Sequence, residues 1–134
     1  MRKVVIDTNV AVSAILTPNG NAAHIVDMIA DEKLQICYSV KILDEYVEVL
    51  SRPRLDFKVE DQENFIAGVK QSGLLINPLQ SDLPFVDETD RVFFDVAKFC
   101  EAVLITGNIK HYPSDPFVMT PTAFLTSLDE SPDK

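Results

Sequence analysis

Apolar positions along this chain alternate between short continuous runs and longer stripes at helical spacing. Val4, Val5 and Ile6 form an unbroken β-branched run, which suits a strand buried on both faces of a parallel sheet. Four further strands are predicted at 35–38, 74–78, 103–106 and 118–120. Between them the apolar spacing predicts helices over 10–16, 21–32, 40–50, 57–72, 89–101 and 121–128. Turn residues Thr17-Pro18-Asn19-Gly20 divide the first two helices, Ser39 is placed to cap the third, and Gly73 to stop the fourth. Strands alternating with helices predict an α/β fold: three layers, α/β/α, around a central parallel sheet of about five short strands. One domain is expected over residues 1–128, followed by a polar tail over 129–134.

The ends of these elements carry the acids of interest. Asp7 closes the first apolar run, at the edge where open α/β sheets keep their ligand crevice. Asp7, Thr8 and Asn9 are also all good N-cap residues, so taken singly Asp7 reads better as a cap. On the third helix Val40, Ile42, Leu43, Tyr46, Val47, Val49 and Leu50 span a broad apolar arc, with Lys41, Asp44 and Glu48 opposite. Glu45 lies on the border of that arc and is the acid there best placed to reach inward. In the 89–101 helix Phe93, Val96, Ala97 and Cys100 define the inner face, and Asp90 projects into it. A carboxylate on a buried face needs a partner, or the free N–H groups of the helix start. Asp87, three residues earlier, fits the capping role, and Asp95 reads as a surface residue pairing with Arg91 and Lys98.

Composition changes the picture in two places. The 134 residues carry a net charge of -9, which counts against a broad electrostatic footprint on nucleic acid. A site that holds cations must itself be rich in carboxylates, however, and bound metal reverses the local sign. The deficit also suits a basic protein partner. Cys37 and Cys100 sit among apolar neighbours without zinc-motif spacing and read as reduced core residues. His24 reads as packing or surface, and His111 as part of a solvated loop. No apolar stretch is long enough to span a bilayer and no secretory h-region opens the chain, so a cytoplasmic protein is expected. Neither a Gly-rich phosphate loop nor a Gly-x-Ser-x-Gly elbow is present.

In a doubly wound sheet Asp7, Glu45, Asp90 and Asn108 come to one crevice. Carboxylate and amide oxygens without His or Cys suit Mg²⁺ or Mn²⁺, which points to metal-assisted phosphodiester hydrolysis. At these residues the chain resembles the PIN-domain family, and within it the VapC-like toxin components of toxin-antitoxin pairs. Val-Val-Ile-Asp-Thr-Asn at 4–9 is similar to the family's first motif, Asp44-Glu45 to its second, Asp87-x-x-Asp90-x-x-Phe93 to its third, and Leu104-Ile105-Thr106-Gly107-Asn108 to its fourth. The resemblance implies a metal-dependent endoribonuclease, usually a homodimer, with an RNA substrate and a cognate antitoxin. It also implies Asp7, Glu45 and Asp90 as acidic ligands, completed by Asn108 and supported by Asn9, Thr106 and Asp87. Asn108 stands where the family usually has Asp; its oxygen still ligates a cation but adds no charge. Two other readings compete: a PIN-like module that binds RNA or protein without cutting, and a phosphatase on a similar sheet. The latter lacks the second acid that haloacid dehalogenases place two residues after the first.

Overall fold

The computed structural model describes residues 1–85 and 87–129. Five strands form one parallel sheet: β1 (Arg2–Ile6), β2 (Leu34–Tyr38), β3 (Leu74–Leu75), β4 (Val103–Ile105) and β5 (Val118–Met119), in the order β3-β2-β1-β4-β5. Helices α1 (Thr8–Leu16), α2 (Asn21–Ala30), α3 (Val40–Leu50), α4 (Val59–Ser72), α5 (Arg91–Cys100) and α6 (Pro121–Asp129) flank it to complete the three-layer α/β/α architecture. Asp129 thus closes α6, and the rest of the expected tail lies outside the described residues.

The first apolar run occupies the centre of the sheet. Val4 pairs with Ile36 on one side and Val103 on the other, and Ile6 with Ile105. Val4, Val5 and Ile6 are wholly buried, as their lack of polar alternation requires. The chain order reverses direction between β2 and β4 on either side of β1, so the carboxyl end of β1 lies at the switch point where α/β sheets open a crevice. Asp7 alone separates β1 from α1.

Several local readings shift. The edge strands β3 and β5 are two residues each, shorter than their apolar runs, and each pairs on one side alone. Ser39 does cap α3, its Oγ accepting from the amide of Ile42 at 3.2 Å. Gly73 does stop α4, with an extended backbone at φ -92. Space requires the glycine: a Cβ there would lie 2.4 Å from the Val69 carbonyl and 2.7 Å from the Tyr38 ring. A 3₁₀ turn over Glu88–Asp90 precedes α5, which therefore starts at Arg91 and not at Thr89. On α3 the buried stripe narrows to Ile42, Tyr46 and Leu50, while Val40 and Val47 stand half exposed.

Asp95 corrects the surface reading of α5. It is partly buried, and its Oδ2 accepts from the backbone amide of Ser81 at 3.0 Å. Arg91 turns away from it to pair with Glu88 and to donate to the Ser81 carbonyl at 2.7 Å, its guanidinium lying over the Phe85 ring. The segment entering α5 folds back along the helix and covers a face that an isolated helix would leave in water. Cys37 and Cys100 are free and buried, and burial, with Cys100 beside it, pushes the Cys37 thiol up to about 12. No helix among the described residues is long and apolar enough to cross a membrane.

Tyr46 ties α3 to the sheet. Its ring, wholly buried, meets Phe65 edge-on at 5.3 Å, and its hydroxyl donates to the Ile6 carbonyl at 2.5 Å, one residue before Asp7. Tyr46→Phe keeps the ring packing and removes that donor, so chemical denaturation should show a loss of about 1–2 kcal/mol with an unchanged m-value.

Candidate functional site

Asp7 and Asp90 each occupy the position that precedes a helix, and neither carboxylate caps its helix. This separates both from Asp87, whose Oδ1 accepts from the Thr89 amide at 3.0 Å and the Thr89 hydroxyl at 2.8 Å, as a cap should. The capping reading thus holds for Asp87 and fails for the other two.

Asp7 is 6% exposed, and its charge is met by donors from elsewhere in the chain. Three converge on Oδ2: the Thr106 hydroxyl at 2.7 Å, the Tyr112 hydroxyl at 3.0 Å and the Asn9 amide nitrogen at 3.3 Å. The Asp7 amide also donates to the Ile105 carbonyl at 3.0 Å, which locks the ends of β1 and β4 together. Asn9 bridges the two strand ends, since its Oδ1 accepts from the Gly107 amide at 3.1 Å. Thr106, wholly buried at the end of β4, relays the contact onward by accepting from the Asn108 amide at 3.0 Å.

Asp90 has the opposite environment. Its side chain is 13% exposed, and Oδ2 is buried with no hydrogen-bond partner among the described residues. The nearest cationic candidate, His111 Nδ1, stands 3.6 Å away, beyond hydrogen-bond reach. Burial, then the carboxylates of Asp7 and Asp87, push the Asp90 carboxyl up to about 6, with His111 opposing them and Glu45 adding to them. Glu45 is partly buried and raised as well, chiefly by burial and Glu48, with smaller contributions from Asp7 and Asp87. Asp7, Glu45, Asp87 and Asp90 thus lie near enough to act on one another electrostatically. They do not form a cage: among the described residues no three His, Cys, Asp or Glu side chains gather at metal-ligand spacing. Asn108 is exposed, and its backbone amide, not its side chain, joins the network.

Tyr112 and His111 reach Asp7 and Asp90 although the loop has no periodicity that would mark them. Tyr112 is buried, stacked against Phe94 at 6.5 Å and edge-on to Phe85 at 6.2 Å, and its hydroxyl reaches Asp7 across 105 positions of sequence. A hydroxyl on an aromatic ring next to a histidine, just past the end of a buried strand, is the one available signal. The short 3₁₀ turn Ile109–His111 brings both residues back over the crevice.

The PIN domain family matches residues 3–110, a span that holds every one of the acids above. The chain belongs to the PIN-domain family. An uncharacterized protein of Methanocaldococcus jannaschii is 37% identical over 110 residues, covering 79% of this chain and 70% of the relative. Among solved structures, VapBC2 from Rickettsia felis, crystallised with a DNA fragment from its promoter, aligns with a TM-score of 0.55 and 19% identity over 81% of this chain and 89% of that one. That likeness is one of fold. Within this PIN domain the matched span closes at Lys110, so Tyr112, which completes the Asp7 donor set, lies just beyond it.

Two measurements follow from these environments. Asp90 titrates near 3.8 without its surroundings and at about 6 within them, so the folded state holds the proton more tightly and ionisation of Asp90 opposes folding. Asp90→Asn should therefore raise stability at pH 7 by about 1–2 kcal/mol, a gain that fades as pH falls from 6 to 4, read as the pH dependence of the difference in Tm. Tyr112→Phe keeps the aromatic stack and deletes one donor to a buried carboxylate, at a cost of about 1–2 kcal/mol by denaturant titration. Tyr112→Ala, which also removes the ring packed against both Phe94 and Phe85, should cost about 3–5 kcal/mol.

Proposed function

We propose that this PIN domain is a Mg²⁺- or Mn²⁺-dependent endoribonuclease acting through Asp7, Glu45 and Asp90, and that it is the toxin of a toxin-antitoxin pair. One observation carries the reading. Two acids sit where a carboxylate ordinarily caps a helix, neither does so, and one of them keeps a buried oxygen without a partner. An uncompensated buried carboxylate is costly, and a cation is the partner that removes the cost.

The donor set fits a hard ion held partly by water. Mg²⁺ is commonly bound through one or two carboxylates, its other positions being filled by water and substrate phosphate, so a crevice without a three-acid cage accords with it. When bound, such an ion supplies a water of lowered pKa and neutralises charge on the phosphodiester. The chain supplies the rest. Thr106, Tyr112 and Asn9 hold Asp7 through Oδ2, which leaves its other oxygen without a hydrogen bond among the described residues and free to take a cation. Asp90 and Glu45, both raised, favour the ionised form once a cation enters. Asn108 contributes no charge, and its exposure favours a site with a single strongly held ion.

The family resemblance, together with the net charge of -9, supports a cognate antitoxin that sets a basic segment against the acidic crevice and a homodimeric assembly. The exposed, neutral Asn108 gives some support to a second reading, a catalytically weak module that binds RNA or protein. Incubation with mixed single-stranded and structured RNAs plus Mg²⁺ or Mn²⁺ separates the two. Cleavage that disappears with EDTA and in folded Asp7→Asn establishes the metal nuclease, and calorimetry should show Mn²⁺ binding lost in the same variant. Undiminished turnover in Asp7→Asn would sink the assignment, and no cleavage by folded wild-type protein would leave the binding module.

A further inference from the structure

Beside the acids lies a preformed groove of about 370 Å³ between the N-terminal parts of α3 and α5, closed by the segment that follows β3. Its walls are held by side chains already committed to structure. Asn77 Oδ1 accepts from the Val40 amide at 3.2 Å, Asp95 takes the Ser81 amide, and Arg91 grips both the Ser81 carbonyl and Glu88. With Glu88 paired and Asp95 satisfied, the lining opposite Glu45 is close to neutral.

Other groups there remain uncommitted. Lys41 has no carboxylate within ion-pair reach among the described residues, and the side-chain amide of Gln80 and the Nδ2 of Asn77 make no hydrogen bonds among them. They line the groove together with the apolar surfaces of Pro78 and Val92. Glu45 lines the groove, as do Thr89 and Arg91 on either side of Asp90, so the groove adjoins the turn that carries that acid.

We infer that the groove seats one unpaired base of single-stranded RNA, the base of a nucleotide adjoining the bond that is cut. The inference rests on the ribonuclease reading and adds where its sequence preference arises. A primary amide presents a donor and an acceptor side by side, the match for the edge of a base. The apolar wall suits a ring face, the near-neutral lining suits a base over a phosphate, and Lys41 at the rim suits the phosphate that follows it. The volume is near the lower end for small-molecule pockets, about 300–1,000 Å³, so it suits one nucleotide better than a length of helix or strand. Bases stacked within a duplex cannot enter.

Gln80 and Lys41 are both exposed, so Gln80→Ala and Lys41→Ala should fold as the wild type, checked by circular dichroism. Full-length protein with Mn²⁺ is given a randomised single-stranded RNA pool, and the new ends are sequenced. The expected result is a base preference at a position flanking the cut that Gln80→Ala flattens by about tenfold, the size of one good base contact. Lys41→Ala should weaken all sequences alike and lower the salt dependence, leaving the preference in place. In parallel, fluorescence anisotropy follows labelled tetraribonucleotides on Asp7→Asn protein with and without Gln80→Ala. Base-selective binding that vanishes with Gln80→Ala supports the subsite even where wild type cuts nothing, a result that would remove the nuclease reading alone. Cleavage whose preference is untouched by Gln80→Ala overturns the subsite and leaves the nuclease standing. Neither binding nor cleavage overturns both, and protection of Lys41 and Gln80 by a bound antitoxin peptide, without base selectivity, assigns the groove to that partner and overturns the base subsite.

Discussion

A carboxylate taken out of water into an apolar interior stays charged at low cost only where several donors meet it. Asp7 is in that position, and its donors come from three places: Asn9 just inside α1, Thr106 at the end of β4, and Tyr112 in the loop beyond. Satisfying one side chain therefore fixes the spacing of the two central strands at their carboxyl ends, the entry into α1, and the course of the loop after β4. Tyr46 supports the same point from beneath through the Ile6 carbonyl. Asp90 is the complement: it is carried into the crevice by the turn before α5 and left with an unpartnered buried oxygen. One acid is over-provided with donors, and the other keeps a buried oxygen without any.

The sheet was legible because its signal is local. Val4-Val5-Ile6 and Val103-Leu104-Ile105 are apolar without alternation, and a strand buried on both faces has no other pattern available. The helices were legible through their stripes, and Asp90 through its place on the apolar side of one. The capping reading of Asp87 needed just a sequence position. By contrast, Asp7 as cap and Asp7 as site residue are identical in sequence, and the decision between them rests on donors 99 and 105 positions away.

The misreadings share a cause. Asp95 and Arg91 were read as if α5 stood alone in solvent, while the chain before it folds back and offers Ser81 to both. His111 and Tyr112 lie in irregular structure, where no period exists to say which side chains turn inward. In each case the missing information was tertiary, a neighbour that wheel and propensity arguments leave out.

The distance in sequence between Asp7 and the groups that complete its surroundings bears on how the molecule comes into being. Asp7 precedes Thr106 by 99 positions and Tyr112 by 105 in the order of synthesis. Until they arrive, β1 lacks its β4 neighbour and the acid at its end lacks two of its three donors. The surroundings of Asp7 are thus complete only after Tyr112 has been made, closed by contacts of long sequence separation. That order of assembly leaves the acid at the end of β1 without its full set of partners for most of the chain's synthesis.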